Sequence, residues 1–190
     1  MPLPPFILAS TSPRRAELLS LLPVKFRVVA SDATEVAHRH LTPLEVCQLN
    51  AHRKARVVAQ KNPDALVLGA DTLVFLGHEI FGKPRHRAEA ERMLWRLQGR
   101  KHQVVTGVSL IHLRARRENI FAVSTDVQFH RLTRAQIKNY LIKINPLDKA
   151  GAYAIQERGE LIIAEISGSF SNVVGLPVER LREALCRWPG

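Results

Sequence analysis

Short apolar runs at the start of the chain alternate with signals that begin helices. Phe6–Ala9 is a run of four apolar residues, which is typical of a buried strand. Ser12 and Pro13 follow it, and this pair is favoured at the N-cap and at the first position of a helix. Residues 25–30 alternate enough to predict a second strand, and the polar residues 31–40 predict a loop. The chain therefore opens with the order strand, helix, strand.

A long helix and a buried strand are predicted next. Residues 42–45 form a capping box with proline at the first helical position, which predicts a helix running to about Lys61. Residues 65–70 are continuously apolar, as in a strand that is buried on both faces. We expect this strand to end on Asp71 and Thr72. Its carboxyl end is where open α/β sheets place their ligands.

The rest of the chain continues to mix strands with helices. The pattern predicts a hairpin over 73–81, a helix over 88–97, long β segments over 103–113 and 118–129, a helix over 133–143, a strand over 161–166, a turn over 168–170 and a final helix over 177–188. Helices interleave with strands early, and a β meander occupies the middle. The predicted class is therefore α/β with a mixed sheet.

Composition limits the kind of protein this can be. A chain of 190 residues, 46% hydrophobic and 24% charged, has the length of one large domain or two small lobes. No apolar run approaches the roughly 18 residues of a membrane span, and no secretory signal is visible. Cys47 and Cys186 lie far apart in predicted helices without metal-type spacing. We expect reduced cysteines and a cytoplasmic location without a membrane partner.

The charge of the chain favours an anionic ligand. The formal net charge is +11 and the isoelectric point is near 10.5. The basic residues are scattered, and aromatic residues make up only 6% of the chain, which argues against a stacking platform for single-stranded nucleic acid. Small phosphorylated ligands fit this pattern at least as well.

Two arginines stand in an unusual place. Arg14 and Arg15 fall in the first turn of the predicted first helix, where unpaired amides already carry partial positive charge. Each arginine costs roughly a few tenths of a kcal/mol there. A bound anion would reverse the sign, because the amides, both arginines and the hydroxyls of Ser10 and Ser12 could contact it. Two solvated arginines at an ordinary turn are the alternative.

Carboxylates and lysines supply the remaining candidates. Asp71 is the strongest, and Glu35 in the preceding loop could join it as a ligand of a hard cation such as Mg²⁺. Lys54 and Lys83 are possible phosphate partners. The eight histidines show no metal-ligand spacing and are interpreted as surface residues. The chain has neither a GxxxxGK[ST] loop nor a GxSxG elbow.

Seven short motifs, in this order, resemble the Maf family of nucleoside triphosphate pyrophosphatases over nearly the whole chain. They are Leu8-Ala9-Ser10-Thr11-Ser12-Pro13-Arg14-Arg15, Lys54-Ala55, Gly69-Ala70-Asp71-Thr72, Gly82-Lys83-Pro84, Thr106-Gly107-Val108, Asp148-Lys149-Ala150-Gly151-Ala152-Tyr153 and Val174-Gly175-Leu176-Pro177. The resemblance implies one domain over 1–190, a two-lobed fold like that of Maf and inosine triphosphatases around a bent mixed sheet with flanking helices, and an active cleft between the lobes.

The resemblance also implies the chemistry. A nucleoside triphosphate is cleaved between its α and β phosphorus atoms with a divalent cation, Mg, Mn or Co. The family assigns the position of Asp71 as general base, although the sequence leaves open whether Asp71 is the base or a metal ligand together with Glu35. The positions that line the family's site include Ser10, Arg14, Arg15, Glu35, Lys54 and Lys83.

The resemblance implies that base preference involves a loop in which this chain departs from the family. The subfamily selective for dTTP and UTP carries Gly-Ile-Gln-Gly, and the positions matching Arg14, Thr72 and Gln156 are associated with its preference. Here the loop reads Ala154-Ile155-Gln156-Glu157, so both glycines are replaced. We expect dTTP and UTP as substrates.

Other functions remain open from the sequence. A sister subfamily that hydrolyses 7-methyl-GTP is the nearest alternative. An enzyme for inosine-type triphosphates would need different base contacts. A basic nucleic-acid-binding or regulatory protein with a vestigial cleft would explain the charge, but not why all the candidate catalytic side chains are retained. A homodimer is expected only by analogy.

Overall fold

The computed structural model describes residues 4–36 and 40–188, which form seven strands and six α-helices. In chain order these are β1 (Phe6–Ala9), α1 (Pro13–Leu19), β2 (Phe26–Val29), α2 (Pro43–Lys61), β3 (Leu66–Leu76), β4 (Glu79–Phe81), α3 (Arg87–Leu97), β5 (Lys101–His112), β6 (Arg117–Phe129), α4 (Arg134–Lys143), β7 (Ile163–Ser167), α5 (Phe170–Val174) and α6 (Val178–Cys186). Short 3₁₀ turns cover Ala150–Ala152 and Gly159–Leu161. The predicted α/β class is confirmed.

The sheet is mixed, as the sequence predicts. Its strand order is β2-β1-β3-β5-β6-β7, and β4 pairs with β3 off this path. β1 is parallel to both β2 and β3, with Phe6 opposite Phe26 on one side and Leu66 on the other. β3 with β4 and β6 with β7 are antiparallel pairs. The parallel part is thus built by the first three strands around the central β1.

Local signals in the sequence place most element boundaries correctly. Thr42 caps α2 and Thr133 caps α4, each through a complete capping box with the third helical residue. Gly99 follows α3 with a φ of 66°, a left-handed conformation that glycine adopts without strain. None of the helices in the described part of the chain combines the length and apolar character that crossing a bilayer requires.

The strand that carries Asp71 is longer than expected. β3 continues through Asp71 and Thr72 to Leu76, so the prediction that the strand ends there is wrong. Pairing with β1 does stop at Gly69, and the last three residues of β3 pair with β4. The polar residues do not break the strand, because the Asp71 carboxylate has its own hydrogen-bond donors. Asp71 therefore lies just beyond the carboxyl end of the parallel part.

The chain divides into two compact units. The first comprises Met1–Asp71, Thr106–Val123 and Gly175–Gly190, and the second comprises Thr72–Val105 and Ser124–Val174. The expected active cleft between two lobes stays a prediction.

Helix α2 organises the core of the first unit. Its buried residues Ala55, Val58 and Ala59 pack against the strand residues Ile7 and Val67. The contact with the strands is close, because two glycines lie beneath the helix. A Cβ on Gly69 would fall 2.3 Å from the carbonyl oxygen of Ala51, and one on Gly107 would fall 2.2 Å from the carbonyl carbon of Cys47. Glycine is required at both positions because backbone fills the space of a side chain.

The core of the second unit contains a buried histidine. The ring of His102 makes edge contacts with Phe129 and Tyr153, and its Nε2 lies 2.9 Å from the Tyr153 hydroxyl. His102 is 2% exposed, so the prediction that the histidines are surface residues is wrong for this one. The ring faces inward because His102 lies at a buried position of β5, where the Tyr153 hydroxyl takes the place of water as a hydrogen-bond partner. His38 lies outside the described residues.

The last part of the second unit differs from the sequence prediction in one element. The predicted turn over 168–170 leads directly into a short helix, α5, which begins at Phe170. A backbone amide there is satisfied by a side chain, since the Ser169 amide donates to Thr125 Oγ1 at 3.1 Å. Among the described residues Cys47 and Cys186 form no disulfide, and Cys47 is buried whereas Cys186 is exposed.

Candidate active site

A buried carboxylate lies at the centre of the candidate site. Asp71 is 3% exposed. Its Oδ1 accepts a hydrogen bond from Lys54 Nζ at 2.7 Å, and its Oδ2 accepts one from Asn50 Nδ2 at 3.1 Å. Both donors come from α2 and are four residues apart, so they project from the same face of the helix. A buried charge needs such partners, because desolvation alone would make it costly.

Lys54 joins Asp71 to a second carboxylate. Its Nζ also lies 2.6 Å from Glu35 Oε1. The Lys54 side chain is 14% exposed, that of Asp71 is 5% exposed and that of Glu35 is 56% exposed. The cluster thus changes from a dry end at Asp71 to a solvent-facing end at Glu35.

Helix α2 also fixes the loop that carries Glu35. The backbone amide of Val36 donates to Asn50 Oδ1 at 2.8 Å, and Asn50 Nδ2 donates to the Val36 carbonyl at 3.0 Å. Ser31 Oγ donates to the carbonyl of Lys54, and Arg53 Nε donates to the carbonyl of Thr34. A loop without regular structure is therefore held to the helix at three points.

The first turn of α1 brings cations into the same unit. Arg15 Nε donates to the Gly175 carbonyl at 2.9 Å, and Arg15 Nη1 donates to Ser10 Oγ at 3.4 Å. Burial lowers the pKa of the Arg15 guanidinium, and the charges of Asp71 and Glu35 oppose that shift. Asp71 and Glu35 therefore act on the Arg15 guanidinium as attractive charges that partly offset its burial.

The start of α1 matches the prediction in position but not in capping. Ser12 is the N-cap and Pro13 is the first helical residue. The Ser12 side chain makes no capping bond, and its amide instead donates to Ser10 Oγ at 3.1 Å. α1 spans only seven residues, so its dipole is small and the side chains carry the electrostatics of the loop.

The structure brings some of the predicted site residues together and places others elsewhere. The first unit holds Ser10, Arg14, Arg15, Glu35, Lys54 and Asp71. Contacts link Ser10 to Arg15 and link Lys54 to both carboxylates. Thr72, Lys83 and Gln156 belong to the second unit, where Lys83 and Gln156 are exposed and Thr72 is half-buried. Their roles stay predictions.

Sequence reasoning missed Asn50, which bonds to Asp71 and to the Glu35 loop. A signal for it is present in the sequence. Within α2, Asn50 is a polar residue on the stripe of buried positions that includes Val46, Cys47 and Ala51, and it precedes Lys54 by one helical turn. A polar residue on an apolar face needs a partner inside the protein. Asn50 and Lys54 together therefore point to a buried acceptor.

The carboxylates fit a hard divalent cation only in part. Within residues 4–36 and 40–188, no cluster of three or more His, Cys, Asp or Glu side chains could hold a metal ion. Glu35 and Asp71 nevertheless share one ammonium, and Mg²⁺ takes one or two carboxylates when substrate phosphates supply further oxygens. The donor set therefore fits a cation that arrives with a phosphorylated substrate.

A second lysine lies between two carboxylates in the other unit. Lys149 Nζ contacts Asp148 Oδ1 at 2.9 Å and Glu157 Oε1 at 3.1 Å, and it donates to the Asn145 carbonyl at 2.8 Å. The Lys149 side chain is 5% exposed, whereas the two carboxylate side chains are 45% and 44% exposed. Glu157, the acidic residue next to Gln156, is thus held to the buried lysine.

Comparison with known proteins gives one family over almost all of the chain. The protein-family model for Maf-like proteins matches residues 5–188. This range includes every residue of the buried cluster and every predicted specificity position.

Individual relatives agree with the family match. A dTTP/UTP pyrophosphatase of Bacillus velezensis is 48% identical over 179 residues, which cover 94% of each chain. One from Symbiobacterium thermophilum is 48% identical over 182 residues, covering 96% of this chain and 93% of the relative. One from Akkermansia muciniphila is 44% identical over 183 residues, covering 96% of each chain. The similarity therefore extends over nearly the full length of these relatives rather than over a shared fragment.

Proposed function

The chain belongs to the family of Maf-like proteins, and we propose that it is a nucleoside triphosphate pyrophosphatase that hydrolyses dTTP and UTP. The products are the nucleoside monophosphate and pyrophosphate. Relatives that match nearly the whole chain carry this activity in their names, which supports the proposal over the 7-methyl-GTP activity of the sister subfamily.

The observation that carries the proposal is the buried Asp71 carboxylate beside cationic side chains. Hydrolysis at the α-phosphorus needs a group that accepts the proton of the attacking water. Asp71 is the buried carboxylate of the cluster, and Lys54 and Asn50 hold both of its oxygens. Their hydrogen bonds fix the orientation of the carboxylate before substrate arrives, which avoids reorganisation during the reaction.

The reaction is a displacement at phosphorus. A water oxygen forms a bond to the α-phosphorus, and the bond from that phosphorus to the α–β bridging oxygen breaks. The bridging oxygen leaves with pyrophosphate, and the water's proton passes to Asp71 and then to solvent. Arg14, Arg15 and Lys54 are proposed to stabilise the negative charge that builds on the leaving group. We propose Lys83 for the same task.

A divalent cation, Mg, Mn or Co, is part of the proposal. Glu35 and Asp71 would hold it together with phosphate oxygens of the substrate. When bound, such an ion neutralises phosphate charge and lowers the pKa of a coordinated water. The protein's own contribution is to present two carboxylates around one lysine, so that the site carries no large net charge before the substrate and the cation enter.

Base selection is proposed to depend on Arg14, Thr72 and Gln156. The ion pair between Glu157 and Lys149 supports this for Gln156, because it holds the residue next to Gln156 in place. The loop that replaces two glycines with Ala154 and Glu157 is thus anchored by one of the replacements. We propose that preference for dTTP and UTP survives this change.

A substrate panel tests the proposal. The purified protein is given dTTP, UTP, CTP, ITP or 7-methyl-GTP with Mg²⁺, Mn²⁺ or Co²⁺, and pyrophosphate and monophosphate are quantified. We expect the largest kcat/KM for dTTP and UTP, with no pyrophosphate release after chelation of the metal. Inorganic phosphate as the main product, or a clear preference for 7-methyl-GTP, would contradict it.

The place of action and assembly belong to the same proposal. Cysteines that form no disulfide are consistent with the cytoplasmic location that we propose from the sequence. A homodimer is proposed by analogy alone, and light scattering after size-exclusion chromatography would determine the mass in solution. The same chromatography with added DNA or RNA would test nucleic-acid binding, which the relatives' names do not favour.

A further inference from the structure

We infer that Asn50 is a positioning residue that fixes Asp71 and the Glu35 loop relative to each other. The inference rests on the proposed function, since it gives Asn50 a role in the hydrolysis for which Asp71 and Glu35 are proposed. No feature of the family resemblance includes this residue. It follows from the contacts of one buried side chain.

The carboxamide of Asn50 makes three hydrogen bonds and is 2% exposed. Nδ2 donates to Asp71 Oδ2 at 3.1 Å and to the Val36 carbonyl at 3.0 Å, while Oδ1 accepts from the Val36 amide at 2.8 Å. An asparagine amide has two N–H donors, and both are in use. No spare donor is left for another group.

The backbone of Val36 also determines which way the amide faces. If the amide were rotated by 180°, Asn50 Oδ1 would face the Val36 carbonyl and the Asp71 carboxylate, and three favourable contacts would become repulsive. The observed orientation is therefore the only one that satisfies both partners. The two bonds to the Val36 backbone therefore orient the Asn50 amide so that its second N–H group points to Asp71.

This arrangement fixes two carboxylates through one short side chain. Asp71 is bonded to Asn50 directly, and Glu35 is the chain neighbour of Val36. Lys54 also bridges the two carboxylates, but its long side chain has four rotatable bonds and its ammonium has no preferred direction. Asn50 has two rotatable bonds and a planar amide. Lys54 supplies positive charge between the two carboxylates, and Asn50 fixes the position of Asp71 relative to the Glu35 loop.

The kinetic consequence is specific. The contacts of Asn50 go to Asp71 and Val36 rather than to the cationic loop of Ser10 and Arg15. Loss of Asn50 should therefore impair the chemical step more than the binding of the triphosphate. The hydrogen bond to Asp71 is made to a charged group, and such bonds are stronger than neutral ones, so we expect its loss to lower kcat about tenfold.

Two variants separate the roles of the amide. Asn50→Asp keeps the shape and an acceptor for the Val36 amide, but it replaces both donors with a second carboxylate beside Asp71. Asn50→Leu removes all three bonds without adding charge, and it serves if Asn50→Asp does not fold. Asn62→Asp is the matched control, because Asn62 caps the end of the same helix and contacts Val58 and Arg27.

The first readout is steady-state kinetics with dTTP. We expect kcat to fall about tenfold or more in Asn50→Asp and about three- to tenfold in Asn50→Leu, with KM within about twofold of wild type. Asn62→Asp should keep both constants. A kcat within twofold of wild type in both folded Asn50 variants would overturn the inference. A loss confined to KM would do so as well.

The second readout does not depend on activity. Hydrogen–deuterium exchange in residues 31–36 is measured for wild type and Asn50→Leu without substrate. We expect faster exchange at the Val36 amide in the variant, because its acceptor is gone. Unchanged exchange would overturn the coupling even if kcat had fallen. If wild type released no pyrophosphate, the proposed function would fail, and the exchange result would still decide whether Asn50 holds the loop.

Discussion

Each unit of this protein holds one lysine between two carboxylates, and the two clusters are buried in opposite ways. In the first unit Asp71 is the most buried member, Lys54 is 14% exposed and Glu35 faces solvent. In the second unit Lys149 is the most buried member, and Asp148 and Glu157 are both nearly half exposed. Similar residue types therefore produce two different electrostatic arrangements.

The difference shows which member of each cluster is available for chemistry. In the first cluster Lys54 links a buried carboxylate with fixed donors to a solvent-facing carboxylate, and such a pair can take up a proton or a cation. A buried ammonium that is surrounded by three oxygen acceptors has no donor to spare, since its three protons are already used. We therefore expect the first cluster to act in catalysis and the second to hold the Gln156 loop. Matched substitutions in the two clusters test this assignment.

The largest difference is expected between the two aspartates. Asp71→Asn should lower kcat for dTTP about a thousandfold with the fold retained, because an amide cannot accept the proton. Asp148→Asn should leave kcat within about twofold, since Lys149 keeps Glu157 and the Asn145 carbonyl. Pyrophosphate release measures the rates, and circular dichroism checks the fold.

A metal titration of Asp71→Asn separates the two roles proposed for this carboxylate. Lost turnover with unchanged metal saturation identifies Asp71 as the base, whereas a large rise in the metal concentration required identifies it as a ligand. Near-wild-type pyrophosphate release in Asp71→Asn would contradict both.

The second-largest effect concerns pH and the core of the second unit. Burial lowers the pKa of His102 from 6.5 to about 4. Above pH 6.5 the ring is neutral in both folded and unfolded chains. Below it the unfolded chain binds a proton that the folded chain does not, so stability is lost as the pH falls towards 4. The full loss is about 3 kcal/mol.

Urea unfolding of wild type and His102→Gln at pH 7.5 and pH 4.5 measures this term. The free energy of unfolding should fall more steeply with acid in wild type, and other titrating groups cancel in the difference between the two proteins. Parallel pH dependence in both would show that His102 does not contribute.

The two lysines should respond in different measurements. Lys54→Met is expected to lower kcat about a hundredfold, because it removes a cation from the site of charge development. Lys149→Met should leave kcat nearly unchanged and lower the free energy of unfolding by about 2 kcal/mol, a value reduced because its carboxylate partners are partly solvated.

Methionine is close to lysine in length, so both variants remove the charge and keep a side chain of similar shape. Kinetics and urea unfolding are run on both variants. The comparison between the clusters would be wrong if Lys149→Met lost turnover without losing stability.

The smallest effects are expected for the exposed glutamates. Glu35→Gln should lower kcat/KM about tenfold at limiting metal and less at saturating metal, as expected for a weak cation ligand. Glu157→Gln should leave the rate unchanged and alter the ratio of kcat/KM for dTTP and UTP by about twofold, since the Gln156 loop loses one anchor. An unchanged ratio would remove Glu157 from base selection.

Local signals explain what could be predicted from the sequence. Capping boxes at Thr42 and Thr133 determine helix starts from residues three apart, and both are confirmed. The run from Phe6 is confirmed as a strand for the same reason. The pattern alone does not favour Lys54 over other lysines, because its partners Glu35 and Asp71 are distant in sequence, and only the family resemblance places Lys54 in the predicted site.

Features that depend on distant partners could not be predicted. The continuation of β3 through Asp71 depends on donors from α2, and the burial of His102 depends on Tyr153, which lies 51 residues away. The three bonds of Asn50 and the pairing of Glu157 with Lys149 likewise exist only in the folded chain. Sequence patterns depend on residues that are close together in the chain, whereas these contacts join residues that only the fold brings together.

The two glycines beneath α2 have a consequence for how the protein responds to heat. At Gly69 and Gly107 the helix rests on bare main chain, so no rotamer can loosen the contact before the backbone itself moves. Asn50 and Lys54 thus project from a helix whose backbone lies directly against the strands. We therefore expect thermal inactivation to follow the unfolding curve, with no temperature range in which the protein is folded but inactive.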